Sequence, residues 1–510
     1  MPDPASTVLI GVDVGTTNVK AAAYSDQGEL LAVSARRLNV YHPQPGWSEY
    51  DPHELIESAG LTIRDVAGRF SPHQIAGIAI SSMAETAVAL DNAGLPLRRA
   101  IAWHDERTVD QARWWREQVG DEAVYVVCGL PILPIFGINK MMWVRDHEPD
   151  VYHQMRRWLN VADYVAYCLC GEQATDFSLA SRMMALDLTG RVWSSELCAA
   201  AGIDPRLFAE LVPSGQRLGV THAAAREVAG LPIGIPVAAG GMDHPCGALA
   251  VGIREPGHVL DSMGTSESIF TVTTHPLLNA AMAASGYQQG IHVDSRFSFC
   301  NGGLYTSGAA VEWIKQILAP GDDSYEALML LAADAPAGSE GAYFLPHLRL
   351  PSPPINVPSG RATFVGLSAA HGREHLARAV LEGLAYEARF SLDGLLERMP
   401  LNVQRIIAIG GGARNRLLMQ IKASVWGRTL EVAEVEEAGA QGAAMLAGVG
   451  AGVFSDLAQA VSAMEIRTQP VMPVSDWAVR YEQAYQRVYR ALYHAVEPLH
   501  QAVAGVARGD

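Results

Sequence analysis

Two short stretches of this 510-residue chain carry side chains suited to phosphate chemistry. In VDVGTTNVKAAAY (12–24), Asp13 closes an apolar run and the chain turns on Gly15-Thr16-Thr17-Asn18. A tight turn exposes backbone N–H groups, and such concavities bind phosphate oxygens. Threonine hydroxyls add polar groups that a purely structural hairpin does not need, since Asn-Gly or Asp-Gly would close it. Asp13 supplies a carboxylate for Mg²⁺, which takes oxygen ligands and retains waters. LDSMGTSESIFTV (260–272) repeats the plan, with an acid ahead of Gly264-Thr265-Ser266. Either turn alone reads as a simple turn. Two of them, half a chain apart, suggest duplicated domains facing each other.

Two further elements bear on the same chemistry. In RIIAIGGGARNRLLMQ (405–420), an apolar strand leads into Gly410-Gly411-Gly412 and then a helix from Asn415. Glycines without side chains let a flat ligand approach the backbone. The G-x-G-x-x-G pattern fails because Asn415 holds the last glycine position, which disfavours a dinucleotide fold. A G-x-x-x-x-G-K-[ST] loop is absent. In VAAGGMDHPCGALAVGI (237–253), Asp243 precedes His244-Pro245. One reading makes Asp243 the cap of a helix with Pro245 in its first turn. The other makes it a general base for a hydroxyl attacking a γ-phosphoryl group, where positioning matters more than basicity. One residue can serve both.

Composition limits the function classes. At 510 residues the chain exceeds one core, so at least two domains are expected. A formal net charge of -16 opposes binding to nucleic acid or anionic membrane. Six scattered cysteines form no C-x-x-C pair, and sixteen histidines form no metal-ligand set. No basic region precedes the first apolar run, so a secretory signal is not expected there, and Gly, Pro and charges interrupt the longest apolar stretches, so no membrane-spanning segment is expected. A cytoplasmic protein follows as the expectation.

Strand-like and helix-like segments alternate, which indicates α/β. QIAGIAI (74–80) reads as strand, and 324–335 and 375–399 as helices. From Trp477 to Leu499, Tyr481, Tyr485, Val488, Leu492 and Val496 recur at helical spacing and predict a packed amphipathic helix. Pro/Gly-rich breaks fall at 42–47, 254–258, 318–323 and 349–360.

Longer stretches resemble the FGGY carbohydrate kinases. FGINKMMWVRDHEP (136–149) is similar to the first family signature, with Lys140, Trp143 and Asp146 in place. ATFVGLSAAHGREHLARAVLE (362–382) is similar to the second, with Gly366, His375, Ala379 and Glu382. GWSEYDP (46–52), TDFSLAS (175–181) and EAGAQGAAMLAG (437–448) are also family-like. The resemblance implies two ribonuclease-H-like domains of the actin/Hsp70/sugar-kinase type, with an active-site cleft between residues 1–248 and 249–510. It further implies ATP and Mg²⁺ as cofactors. Gly15, Thr16 and Thr17 would form the first phosphate turn and Asp13 would hold the metal. Gly264, Thr265 and Ser266 would form the second phosphate turn. Gly308, Gly411, Gly412 and Asn415 would contact the nucleotide, and Asp243 would be the catalytic base. A homodimer is a family-level expectation.

The implied acceptor site uses SSMAET (81–86), WHDERT (103–108), the segment before Lys140, and Asp243-His244. Here Ala84-Glu85 replaces the Arg-Glu pair of similar glycerol kinases, and Ile135 replaces a tyrosine. Met83-Ala84-Glu85 replaces Gln-Met-His of similar xylulokinases, and LRLPSPP (348–354) replaces their G-E-R-x-P segment. A polyol site needs converging polar groups, because a buried hydroxyl without a partner costs about 1–3 kcal/mol. Ala84, Glu85, His104, Asp105, Asp243 and His244 are the expected contacts. His104 could instead be exposed, and Asp105 part of a solvated turn. Trp103 and Trp47 could stack on a sugar or serve as buried structural tryptophans. The expected activity is phosphorylation of a terminal hydroxyl, first of a ketopentose such as xylulose or ribulose, next of a tetritol, glycerol or gluconate. The rival class is an actin/Hsp70-type conformational protein without a base or sugar pocket. A second rival, a sugar-sensing pseudokinase, should have lost Asp13, Thr265 or Asp243, and all three are present.

Overall fold

The computed structural model describes residues 7–319, 324–357 and 360–508. Parts of two expected breaks, 320–323 and 358–359, lie outside the described residues. Thirteen strands make up two main sheets. The first contains β1 (Val8–Val14), β2 (Asn18–Ser25), β3 (Leu30–Arg37), β4 (Ile75–Ser82), β5 (Arg217–Val220) and β6 (Pro236–Met242). The second contains β7 (His258–Met263), β8 (Glu267–Thr273), β9 (Gln288–Ile291), β10 (Ser298–Leu304), β11 (Arg405–Ile409), β12 (Leu430–Ala433) and β13 (Thr468–Val471).

The strand orders are β5-β6-β4-β1-β2-β3 and β9-β10-β8-β7-β11-β12-β13. In the first, β1 is antiparallel to β2 and parallel to β4, β6 is parallel to β4, and β5 is antiparallel to β6. In the second, β7 is antiparallel to β8 and parallel to β11, β12 is parallel to β11, and β13 is antiparallel to β12. The same plan is therefore built twice, with β9 added at one edge. The two Gly-Thr turns close equivalent hairpins, β1–β2 and β7–β8.

The helices used below are α1 (Pro52–Ala67), α2 (Asp121–Cys128), α3 (Gly137–His147), α4 (Asp243–Ala250), α5 (Gly308–Leu318), α6 (Glu326–Asp334), α7 (Arg373–Arg398), α8 (Arg416–Trp426), α9 (Ala438–Gly450), α10 (Ser475–Ala484) and α11 (Arg490–Arg508). Burial of α1 explains one face of the first sheet: Leu55, Ala59, Ile63 and Val66 recur at helical spacing and pack on Val12, Val19 and Ala21. In the second half, α7 and α8 cover the outer face of β7 and β11.

Two helices are exchanged between the halves. Late in the chain, α9 packs on β1, β4 and β6 of the first sheet and on α4. In turn, Ala248 and Val251 at the end of α4 join Leu260, Ile407 and Ile409 of the second sheet. Small residues make this possible. A Cβ on Gly11 would lie 1.7 Å from Ala440 O, and one on Gly442 would lie 2.0 Å from Cys246 O. The run AGAQGAAMLAG is thus a contact surface thin enough for close backbone approach. The expected division at 248/249 falls inside α4.

The C-terminal helix departs from the simple expectation. A wide turn at Tyr485–Tyr489 separates α10 from α11. The extra residue per turn moves burial to Tyr489, which donates to Glu387 Oε2 at 2.9 Å, and leaves Val488 half-buried.

Candidate active site

The Gly15-Thr16-Thr17 turn is held by hydrogen bonds from several sides. Gly15 N–H donates to Asn18 O at 3.0 Å. Thr16 is fixed from both sides, its carbonyl by the Tyr50 hydroxyl at 2.8 Å and its Oγ1 by Trp103 Nε1 at 2.9 Å. Thr17 stays exposed. Trp103 therefore braces the turn. Trp47 lies under the Arg107 guanidinium, 3.9 Å from its ring centre, and edge-on to Trp143. It has the structural role.

Asp13 accepts a hydrogen bond from Ser81 Oγ at 3.0 Å, across the β1–β4 pairing. Burial, with the charge of Asp243 added, pushes its pKa up to about 7. A carboxylate whose ionisation is opposed by burial and by a second acid nearby suits a divalent cation. Among the described residues no cluster of three His, Cys, Asp or Glu forms a closed metal cage. The donor set fits Mg²⁺, which needs one or two carboxylates beside phosphate oxygens and water.

Asp243 begins α4, directly after β6. Met242, not Asp243, occupies the cap position, which corrects the helix-cap expectation. The Asp243 carboxylate still accepts the next amide, His244 N–H, at 2.8 Å. The strand pairing puts Asp13 beside Ser81 and Ser81 beside Gly241, two residues before Asp243. The metal candidate and the base candidate thus stand at the same ends of β1 and β6, one on each side of β4. Asp243 and His244 are both half-buried.

On the opposite half, Gly264, Thr265 and Ser266 are exposed at the β7–β8 turn. Their carbonyls are tied to α5: Gly308 N–H donates to Gly264 O at 3.0 Å, and Ser307 and Ala309 donate to Thr265 O. A Cβ on Gly308 would sit 2.6 Å from Gly264 O. Gly308 is therefore a close-packing residue of the turn, with its amide already used. At the other glycine element, no atom of the described residues, the chain neighbours aside, lies within 4 Å of where a Gly411 side chain would project. Gly412 follows in the same short helical turn. Asn415 caps α8, accepting from Leu418 N–H at 3.1 Å, and its Nδ2 meets Met329 Sδ on α6.

The residues expected to line the acceptor pocket divide into two kinds. Glu85 sits three residues beyond β4 with φ of 62°, a left-handed conformation that bulky residues avoid. The buried Lys140 of α3 holds it there, donating to Glu85 O at 2.6 Å and to Ala102 O at 2.9 Å. Burial, offset in part by Glu85 and Asp105, lowers the Lys140 pKa to about 7. His104 is half-buried, not exposed; burial and Lys140 lower its pKa, and its Nδ1 is buried without a hydrogen-bond partner among the described residues. Ala84 packs in the core of the first sheet, so its side chain offers no polar contact. Asp105 is a correction. Its two oxygens take Ser48 N–H at 2.6 Å and the Arg107 backbone and guanidinium at 2.8–2.9 Å, and its side chain is fully buried. It anchors the loop that carries His104 and has no capacity left for a sugar hydroxyl.

One residue escaped the sequence reading. Arg182, just after TDFSLAS, reaches Glu85 Oε1 at 2.6 Å and lies over the Phe136 ring at 5.0 Å. No local signal marks it, because its partner is 97 positions away.

These features agree with the comparisons. Residues 8–250 match the FGGY family of carbohydrate kinases, N-terminal domain, and 260–451 match the C-terminal domain of the same family. The chain is 27% identical to a xylulose kinase of Staphylococcus xylosus, over 95% of this chain and 99% of the relative. It is 31% identical to a glycerol kinase of Citrifermentans bemidjiense, over 91% and 94%. The solved xylulose kinase of Rhodospirillum rubrum superposes with a TM-score of 0.89 at 29% identity, over 97% of this chain and all of that one. Two domain matches in chain order, laid on a sheet plan built twice, make this chain a member of the FGGY family of carbohydrate kinases.

Proposed function

We propose that this carbohydrate kinase transfers the γ-phosphoryl group of ATP to a terminal hydroxyl of a ketopentose, with xylulose the first candidate. The observation that carries the reading is that Asp13 and Asp243 stand at the same ends of β1 and β6, the two strands that flank β4, near enough for the Asp243 charge to act on Asp13. Asp243 takes the proton of the attacking hydroxyl. Its place at the start of a helix, with one oxygen already fixed by His244 N–H, restricts its orientation and leaves the other oxygen for the substrate. Phosphoryl transfer passes through a loose transition state, so holding hydroxyl, base and phosphate in line supplies most of the catalysis. Asp13 would hold Mg²⁺, which when bound supplies charge neutralisation at the phosphate oxygens.

The residues Gly15-Thr16-Thr17 and Gly264-Thr265-Ser266 would hold phosphates from the two halves, and Gly411, Gly412 and Asn415 the adenosine. Division into residues 1–248 and 249–510 belongs to the same proposal. Closure of the halves would exclude water and suppress ATP hydrolysis. Glu85, His104 and His244 would read the acceptor. Xylulose is favoured over glycerol because Ala84 and Ile135 replace the Arg and Tyr expected of a glycerol site. Relatives named for each substrate match nearly the whole chain, so the panel must contain both.

The test is ADP release with Mg²⁺-ATP against ketopentoses, aldopentoses, tetritols, glycerol and aldonates, with Asp243→Asn run in parallel. One preferred ketopentose, silent in the variant, is the expected result. Preference for glycerol or an aldonate would replace the substrate. Turnover that ignores every acceptor and survives the substitution would sink the mechanism.

A further inference from the structure

Arg182 lies outside every stretch from which the acceptor site was expected, yet it is bonded to the side chain at the centre of that site. Both Nε and Nη2 of Arg182 close on the same oxygen, Glu85 Oε1, each at 2.6 Å. That leaves Glu85 Oε2 and Arg182 Nη1 without a hydrogen-bond partner among the described residues. Neither is among the buried polar atoms left unpaired. Each side chain keeps only 6–7% of its surface open. The pair is therefore nearly closed to solvent and keeps the Glu85 Oε2 acceptor and the Arg182 Nη1 donors free of protein partners.

Its position relative to the chemistry is fixed by the backbone. Arg182 follows the helical turn Phe177–Ala180, and Ser178 Oγ of that turn accepts from Met242 N–H at 2.8 Å. Met242 directly precedes Asp243. Glu85 follows β4, whose last residue Ser82 pairs with Met242. The ion pair and the base thus leave the same ends of two adjacent strands. The Arg182 charge is felt by Tyr305 in the other half of the molecule, where it opposes the rise in phenol pKa that burial causes.

Resting on the kinase reading above, we propose that Arg182 is a specificity-determining residue of the acceptor site. With Glu85 it binds two adjacent oxygens of a neutral sugar, beyond the hydroxyl that meets Asp243. One hydroxyl donates to Glu85 Oε2, and the neighbouring carbonyl or hydroxyl oxygen accepts from Arg182 Nη1. Three features of the pair favour this over a purely structural role. The guanidinium uses one carboxylate oxygen where a structural fork would use both. Glu85 holds a strained backbone conformation that Lys140 maintains at some cost, as functional residues do. The paired charges cancel, so the pocket suits a neutral polyol more than an anionic sugar acid.

The experiment is steady-state kinetics of Arg182→Met and Arg182→Lys with the sugar preferred by the wild-type protein. The expected result is a sugar KM raised about 10- to 100-fold in Arg182→Met, the worth of a hydrogen bond to a charged group. The KM for ATP should stay within about twofold. Arg182→Lys, which keeps a donor, should recover part of the sugar KM. An unchanged sugar KM overturns the inference, as does a parallel loss of kcat, ATP KM and melting temperature. If Arg182→Met does not fold, the double variant Glu85→Gln with Arg182→Gln leaves no buried charge unpaired. It carries the same expected and overturning results. Should the wild-type protein phosphorylate no sugar, the kinase reading fails and takes this inference with it. A wild-type kinase whose variants keep its sugar KM defeats the inference alone.

Discussion

The two Gly-Thr hairpins share strand order and pairing, yet their acids have opposite fates. Asp13 stands two residues before Gly15, and Asp261 stands three before Gly264. Side chains alternate along a strand, so this single-residue offset sends the two acids to opposite faces of their sheets. Asp13 faces α9 and the region of Asp243. Asp261 faces α8, where the fully buried Lys422 bonds both it and Glu267. Burial works against the Lys422 charge, but Asp261 and Glu267 together raise its pKa above the ordinary lysine value. Glu267 also accepts from Ser307 Oγ at 2.8 Å, which ties the triad to the start of α5. The comparison teaches that a duplicated scaffold can leave one acid facing the other half of the molecule and use the other as a pin.

The sharpest test of the first fate is Asp243→Asn, which removes the base beside Asp13. Phosphoryl transfer should fall by about 10²–10⁴, the usual contribution of a general base. ATP affinity measured by calorimetry should change little. Comparable turnover in the variant would remove Asp243 from the mechanism.

Breaking the pin instead should show in stability. Lys422→Met leaves Asp261 and Glu267 buried without a cation, a change that costs about 3–5 kcal/mol. Denaturant unfolding should detect it as a lower midpoint. Adding Asp261→Asn and Glu267→Gln should recover most of the loss. A single variant as stable as wild type would show that the triad is not what holds the second hairpin.

Asp13 offers a pH test of moderate size. Its folded pKa of about 7 lies above the ordinary value of 3.8. The group therefore favours folding at low pH, and that contribution is lost as pH rises through about 7. In ligand-free protein, Asp13→Asn should flatten the decline in melting temperature between about pH 4 and 7. Added Mg²⁺ should offset the decline in wild type only. Identical pH profiles for the two proteins would contradict the buried, raised carboxylate.

The smallest effect concerns the nucleotide segment. Among the described residues, nothing but its chain neighbours lies beside a Gly411 side chain, so Gly411→Val should fold normally. A ligand lying there would meet the new side chain, raising the KM for ATP about tenfold while the sugar KM holds. Equal shifts in both would place the adenosine elsewhere.

Much of the fold was legible because its signals are local. The runs around Asp13 and Ile407 are apolar strands bounded by glycine turns, and both formed as expected. Helix α7 spans 373–398 against an expected 375–399. The exchange of α4 and α9 was not legible as such, because AGAQGAAMLAG reads as a plain small-residue helix until the strand it touches is known. At the C-terminus, the wide turn at Tyr485–Tyr489 broke the simple period.

By itself the sequence determined the two Gly-Thr turns, the placing of Asp243 at the start of a helix, and the family. Each is a short-range pattern in which residue type and spacing carry the chemistry. Tertiary structure decided which polar residues remain available. Asp105 and Arg182 are both charged residues near family-like motifs. Packing gave Asp105 four donors and left it none to spare. It brought Arg182 across 97 positions to Glu85 with one donor unused. Hydrogen-bond capacity is consumed by whatever folds nearby, and that neighbourhood is written in contacts between distant segments.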